Sequence, residues 1–424
     1  MFNGTQKDLL QYQKDKYHSL LQYANIHVPY YREQFARIGL FKDGILDESR
    51  LCDIPVLLRE NVRTFTEKLK SDEFDSLGVK SNSSSGSTGE PVTVYHCERQ
   101  QYCGKEDKLL FGMLNGKKPG DFWIKLWGNE NHLSSGIMRQ VSPPGHRYND
   151  CLLLYAFRLS DERLRIFTGE IQKRKPVMIW AYADQMFQLS RFVVSNGIQM
   201  YCPVSILTTG SMLSPQMKSV IQKAFPSSKV SNQYGATEVG TIGCEVDGEE
   251  GLRAFEHSVK LEVVHEDGSI TDDGSGELLV TTLNNHAMPL IRYKLGDIVS
   301  ITHDLGGRKG SFALITSLKG KSTVHIKKAN GDVIFGQFFL DLFCTQEWVE
   351  RFKVIQKSYT ELEIHLVLRQ GYTADEDALS SILEAIDREM GKCKYDIIYE
   401  KEIKPMPSGK YEYIRSCIKD EQNF

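Results

Sequence analysis

The sequence predicts an α/β protein in two parts. The first is a large layered α/β region that ends in a more antiparallel, barrel-like β portion, and the second is a compact α+β unit at the C-terminus. Three observations predict it. From about residue 81 to residue 300, short β-like runs alternate with stretches of helical spacing, the mark of layered α/β architecture. Beyond Gly310 the pattern resets into a shorter series of strands and helices. The chain's 424 residues, 41% hydrophobic and 25% charged, suffice for a sizeable core and about two or three domains.

In order along the chain, Leu9, Leu10, Tyr17, Leu20, Leu21 and Tyr23 fall at mixed three- and four-residue spacings and predict a helix. Pro29 interrupts it, and Tyr31, Phe35 and Ile38 resume a short one. Around Ser81 the composition turns to Ser, Gly and Thr, followed by strand-like Pro91 to Tyr95. Val177 to Trp180 reads as a buried strand. Asp184 to Ser195 has helical spacing through Met186, Phe187, Leu189, Phe192 and Val193, with Asn196-Gly197 as a stop. Val204 to Thr209 is strand-like, and Ser214-Pro215 opens the next helix as N-cap and first turn. Strands at Val259–Val264, Glu277–Thr282 and Ile298–Thr302 are separated by Gly- and Asp-rich turns. The C-terminal unit reads as a strand at Val333–Phe335, a helix from Gln337, strands near Val354 and over Leu362–Leu368, a helix over Ala374–Met390 and a strand near Tyr395. A Gly/Lys/Ser-containing stretch, Thr316 to Lys321, suits a hinge, so the expected domains are 1–316 and 317–424.

Composition excludes several function classes. A net charge of −3 supplies no broad basic field for nucleic acid or an anionic membrane. No apolar run reaches the ~18 residues of a membrane span. Met1 to Leu10 carries Gln, Lys and Asp where a signal peptide needs an apolar stretch, so the expectation is a soluble cytoplasmic protein without membrane insertion. Nine scattered cysteines with no Cys-x-x-Cys predict reduced thiols. Cys244, close in sequence to Glu245 and His257, is the one candidate for a metal site.

Four segments carry chemistry. Ser83-Ser84-Ser85-Gly86-Ser87-Thr88-Gly89-Glu90-Pro91 is either a flexible serine linker or a polyphosphate cradle, with glycines turning N–H groups inward and hydroxyls adding donors. It is not the P-loop of phosphoryl-transfer enzymes, since Gly86 and Gly89 stand too close and no Lys follows. Tyr234-Gly235-Ala236-Thr237-Glu238 offers a ring to wall a pocket and a carboxylate for Mg²⁺, or is an ordinary turn. Upstream of it, Thr209-Gly210-Ser211 closes a strand where α/β sheets bind ligands. Asp297, in Arg292-Tyr293-Lys294-Leu295-Gly296-Asp297, either follows a Gly turn so as to accept both ribose hydroxyls or simply closes a β-turn. Pro405-Met406-Pro407-Ser408-Gly409-Lys410 presents Lys410 on a stiff loop, as a point charge for phosphate or carboxylate or as solvent-facing surface.

In this order and spacing the segments resemble the adenylate-forming (acyl-CoA synthetase) superfamily. With Val28-Pro29-Tyr30-Tyr31-Arg32, Asp53-Ile54-Pro55-Val56 and Cys244-Glu245, the resemblance narrows to phenylacetate–coenzyme A ligases and CapK-like proteins and runs from about Tyr23 to Ile414. It implies a large adenylate-forming domain with a small mobile C-terminal domain, and ATP, Mg²⁺ and coenzyme A as ligands. Under it Ser84, Ser85, Gly86, Ser87, Thr88 and Gly89 cradle the β- and γ-phosphates, with Thr88 also near the metal. Gly210 and Ser211 border the adenine. Tyr234, with Gly235 beside it, lines the adenine and acyl pocket, and Thr237 and Glu238 contact the α-phosphate and the metal. Asp297 holds the ribose, and Lys410 is the catalytic lysine. The implied activity is an AMP-forming carboxylate ligase that makes an acyl-adenylate and passes the acyl group to coenzyme A. The rivals are an amine, sugar or carrier-protein acceptor, and a nucleotide-binding relative without turnover. The branch suits an aromatic or small acid, with Trp123, Trp127, His132 and Phe157 as candidate pocket walls, and it implies a homodimer. Two positions depart from the pattern: Glu90 stands where many relatives carry Lys, and Gly320-Lys321 stands where the hinge usually has Gly-Arg and an acidic residue.

Overall fold

A computed structural model of the chain describes residues 6–83, 92–128, 137–141, 151–157, 159–211, 213–246, 250–304, 312–321, 325–330, 332–406 and 410–418. By contact it divides into two compact units: Met1–Pro119 with Ser231–Leu318, and Gly120–Val230 with Lys319–Phe424.

The first unit opens with helices Gln6–His27 and Pro29–Ile38. The break falls at Pro29 because proline, lacking an N–H, is tolerated only in the first turn of the second helix. That helix buries Tyr30, Tyr31 and Phe35. The Tyr31 hydroxyl donates to the Pro289 carbonyl and accepts from the Ile291 N–H, both at 3.0 Å, which ties the helix to the segment before strand Tyr293–Thr302. The β portion runs in the order Ile270–Thr271, Val259–Val264, Gly274–Thr282, Tyr293–Thr302, Leu314–Lys321, Leu252–Ala254, Gly240–Glu245, Lys229–Ala236. Its recorded pairings are antiparallel. Tyr293–Thr302 alternates strictly between buried and half-buried residues, as a strand with one covered face must.

The second unit holds strands Ser205–Thr209, Met178–Tyr182, Trp123–Trp127 and Cys151–Tyr155, all parallel, with Met138–Val141 antiparallel at the edge. These strands read as near-continuous apolar runs because helices Asp161–Arg174, Ala183–Ser195 and Pro215–Ala224 leave little of the sheet to water. Ser214 caps the third of these helices, its hydroxyl accepting from Met217 N–H at 3.1 Å. A separate core joins helices Gly336–Phe343 and Glu376–Met390 to a sheet ordered Lys394–Glu400, Glu361–Leu368, Val349–Ser358, Ile414–Ser416. The fold class read from the sequence holds.

Thr316 to Lys321, read as a hinge stretch, forms the last six of the eight residues of strand Leu314–Lys321, and the division of the chain by contact between Leu318 and Lys319 falls inside it. One local expectation needs correction. Gly296-Asp297, read as a turn, lies inside strand Tyr293–Thr302. Among the described residues no helix is long and apolar enough to cross a membrane.

Candidate active site

In the first unit, Tyr234 and Asp297 both stand where a strand loses its regular register. Gln233 and Tyr234 pair with Cys244 and Gly243, but Gly235 pairs with Thr241. Opposite Asp297, Glu277 pairs with Ile298 while Leu279 pairs with Lys294. Such bulges free a residue from the ladder and re-aim its side chain. The Tyr234 hydroxyl donates to Asp297 Oδ2 at 2.5 Å. Burial, then the Asp297 charge, holds the phenol well above its ordinary range, so it keeps its proton and serves as a donor. Gly235 has to be bare, because a Cβ there would lie 2.5 Å from the Gly240 carbonyl.

Thr237 and Glu238 follow in the turn. Thr237 is exposed, while Glu238 is buried and its Oε1 accepts from Arg59 Nη1 at 2.9 Å. The Glu238 carbonyl meets His96 Nε2 at 3.0 Å, and His96 Nδ1 meets the Asn82 amide nitrogen at 3.0 Å. With the amide donating to Nδ1, Nε2 must carry the proton, and burial lowers the His96 pKa so that the ring stays neutral. Asn82 and His96 belong to the paired strands Lys80–Ser83 and Thr93–His96. The strand pair that flanks the Ser/Gly/Thr segment is thereby tied, through His96, to the Tyr-Gly-x-Thr-Glu segment. Ser84, Ser85, Gly86, Ser87, Thr88 and Gly89 themselves, like Glu90, lie outside the described residues.

In the second unit, Gly210 and Ser211 follow strand Ser205–Thr209, and Tyr182 ends the neighbouring strand Met178–Tyr182. Gly210 has φ +84°, and a Cβ on it would stand 2.3 Å from Tyr182 Cδ1 and 3.4 Å from Lys410 Cε. The absent side chain is therefore what lets the aromatic ring pack on the loop, with the lysine stem at contact distance beside it. Lys410 is half-buried, and its carbonyl accepts from Met406 N–H at 2.8 Å. Ser211 Oγ donates to Asp184 Oδ2 at 2.7 Å, and the Tyr413 hydroxyl donates to Asp184 Oδ1 at 2.6 Å.

From Tyr182 an aromatic row runs along the sheet. The Tyr182 and Trp127 rings are 4.0 Å apart, and Lys125 Nζ lies 3.9 Å from the Trp127 ring and 5.0 Å from Trp180. Trp123, Trp127 and Trp180 are thus one cluster, Phe157 is buried at the end of the Cys151–Tyr155 strand, and His132 lies outside the described residues. Lys321 ends its strand.

The Cys244 metal candidate is not supported. His257 Nε2 instead meets Asp107 Oδ1 at 2.7 Å, Glu245 accepts from Asn232 N–H, and no cluster of three potential ligands occurs among the described residues. Sequence reading missed Arg59, His96, Asp184 and Tyr413. Arg59 stands 179 residues from its partner and Tyr413 stands 229 from its own, spacings that carry no local signal.

Residues 326–417, which include Lys410, match the family model of the CapK C-terminal domain. Protein CapK of Staphylococcus aureus is 23% identical over 304 residues, 70% of this chain and 64% of that protein, so the match spans under two thirds of the relative. Phenylacetate-coenzyme A ligase of Pseudomonas putida is 23% identical over 379 residues, 84% of this chain and 78% of that one. Among solved structures, 2-hydroxyisobutyryl-CoA ligase in the postadenylation state with R3-HIB-AMP has a TM-score of 0.73 at 13% identity, covering 97% of this chain and 89% of its own. That likeness establishes the fold.

Proposed function

We propose that this chain, a member of the adenylate-forming superfamily in its phenylacetate–coenzyme A ligase and CapK branch, activates a carboxylic acid with ATP to an acyl-adenylate and transfers the acyl group, most simply to coenzyme A. A carboxylate is a poor electrophile, because expelling oxide is prohibitive. Attack on the α-phosphate turns it into a mixed anhydride with a good leaving group. The acid is already ionised at neutral pH, so the step needs no general base. It needs cations and donors aimed at the charge that builds on the phosphates.

The reading gives each residue one task. Lys410 sets its ammonium between the carboxylate and the α-phosphate. Ser84 to Gly89 and Thr237 bind phosphate oxygens, Gly210 and Ser211 border the adenine, and Tyr234 fixes Asp297 for the ribose. A nucleotide-borne Mg²⁺ asks the protein for only one or two hard oxygen ligands; the buried Glu238 carboxylate, one oxygen of which accepts from Arg59, is of that type, and Thr88 would be the second. When bound it would neutralise charge on the departing pyrophosphate. Residues 317–424 are taken as the mobile domain that carries Lys410, with Lys321 at its root.

What supports the reading most is that Lys410 Cε comes to the Gly210 position, at the C-terminal end of a parallel strand. The decisive experiment is mass-spectrometric detection of an acyl-adenylate after incubation with ATP, Mg²⁺ and pooled carboxylic acids, aromatic and short acids included. Lys410→Ala is expected to abolish acid-dependent exchange of pyrophosphate into ATP while remaining folded; full exchange by that variant removes the assignment. Hydroxamate trapping followed by an acceptor screen separates coenzyme A from an amine, sugar or carrier-protein acceptor. ATP binding without exchange across the acid panel would instead favour a non-catalytic relative.

A further inference from the structure

Asp184 takes no part in the chemistry above, yet its carboxylate receives one hydroxyl from each of the two segments that meet at Gly210. Oδ2 accepts from Ser211, in the loop after strand Ser205–Thr209, and Oδ1 accepts from Tyr413, three residues beyond Lys410. The carboxylate lies in the first turn of helix Ala183–Ser195, where unpaired backbone N–H groups favour an anion, and the residue is 1% exposed. Hydrogen bonds to a charged group held away from water are the strong kind.

Tyr413 is a stiff lever. Its carbonyl accepts from Val354 N–H at 2.8 Å, which joins it to the C-terminal sheet, and its ring packs 5.0 Å from Phe352. Two residues earlier, the Tyr411 ring carries the Arg351 guanidinium at 3.8 Å. Burial and the Asp184 charge keep the Tyr413 phenol protonated, so it donates at any working pH. Lys410 directly precedes these anchored residues, its carbonyl accepts from Met406 N–H, and its stem lies against Gly210.

We infer that Asp184 is a positioning residue, a latch that holds Ser211 and Tyr413 on one carboxylate and thereby registers the Lys410 arm against the Gly210 loop for the adenylation step. The bond from Tyr413 is the part that must open when the arm leaves. The purpose of the latch rests on the function proposed above, whereas its existence does not.

The test uses the full chain and two readouts. The first is the acetylation rate of Lys410 by N-hydroxysuccinimidyl acetate, followed by peptide mass spectrometry with the exposed Lys392 as internal reference. Tyr413→Phe, which deletes only the hydroxyl, is expected to raise Lys410 labelling about tenfold, with Lys392 labelling and the melting transition unchanged. Asp184→Asn, left with one acceptor oxygen for two donors, is expected to fall between. The second readout is acyl-adenylate formation from ATP, Mg²⁺ and the acid pool. There Tyr413→Phe should lower kcat about tenfold and leave the KM for ATP unchanged. A merely structural role would move the reference lysine, the melting transition and KM together, and that result overturns the latch. Wild-type labelling and rate in Tyr413→Phe also overturn it, and leave the ligase reading intact. Raised Lys410 labelling with no adenylate from the wild type upholds the latch and removes the ligase reading. If Tyr413→Phe fails to fold, Asp184→Asn carries the same comparison.

Discussion

Replacing Gly210 with Ala puts the geometry of the Lys410 contact to its hardest test. Two costs follow from the structure. At φ +84° an L-residue sits in the left-handed region, which costs about 1–2 kcal/mol. The new methyl would also stand 2.3 Å from Tyr182 Cδ1 and 2.7 Å from Cε1, far inside the ~3.5–4.0 Å of a carbon–carbon contact. The ring has no easy retreat, because the Trp127 ring, itself in contact with Lys125, lies 4.0 Å from it. An overpacked site of this kind costs about 1–3 kcal/mol, so the variant should be about 2–5 kcal/mol less stable in urea unfolding. The Lys410 stem stands 3.4 Å from the same methyl, at ordinary contact distance, so a loss of activity would come from the shift of the loop that relieves the Tyr182 clash, and a misplacement of about 1 Å at a reacting centre costs roughly 10²-fold in rate. Acid-dependent pyrophosphate exchange measures that loss. A Gly210→Ala protein with wild-type stability and wild-type exchange would refute the packing argument and the role of Lys410 together. Wild-type stability with lost exchange would refute only the first.

Two further outcomes concern the first unit. Arg292 holds φ 50° and donates to Glu262 and to the Cys52 and Ile54 carbonyls with both charges buried, so Arg292→Met is expected to cost about 3–5 kcal/mol by stranding the Glu262 carboxylate; denaturant unfolding near the wild-type midpoint would contradict this. His303 is held by Glu256 and Asp273, its pKa raised from 6.5 to about 9, chiefly by the hydrogen bond to Glu256. Its folded pKa exceeds its unfolded one, so the protonated ring stabilises the fold in full below pH 6.5, and that stability is lost as the pH rises through about 9. After discounting for partial exposure the contribution is about 1–3 kcal/mol, and the stability gap between wild type and His303→Gln should close across that window; a gap independent of pH would exclude it.

Much of the architecture was legible because it is written in short-range patterns. The run Met178–Tyr182 is apolar because both faces of a parallel strand are covered, and Ser214-Pro215 stops one element and starts another within two residues. The four segments singled out for chemistry were legible as composition, since Gly210 and Gly235 both sit where any side chain would collide. The supporting residues were not. Arg59, Asp184 and Tyr413 act through partners that the chain brings together only after folding, and nothing adjacent to an Asp at a helix start distinguishes a latch from an ordinary cap. That Thr316 to Lys321 is strand was not legible either, because pairing neighbours, and not a local Gly and Lys, decide strand formation.

The bulges explain why Tyr234 and Asp297 meet at all. Their strands are not neighbours: in sheet order Gly240–Glu245, Leu252–Ala254 and Leu314–Lys321 stand between them. In a flat sheet four inter-strand steps amount to about 19 Å, well beyond the reach of a tyrosine and an aspartate side chain. A hydrogen bond of 2.5 Å between them therefore requires the sheet to curl until these two strands face each other, as the barrel-like reading of this region anticipated. Curvature of that degree is generated where the ladder is interrupted, and the ladder is interrupted at Tyr234/Gly235 and opposite Asp297. The irregularities that bend the sheet are thus the ones that turn these two side chains toward each other. A substitution that restored regular pairing at either point would flatten the sheet and separate the pair, whatever the identity of the residues on its ends.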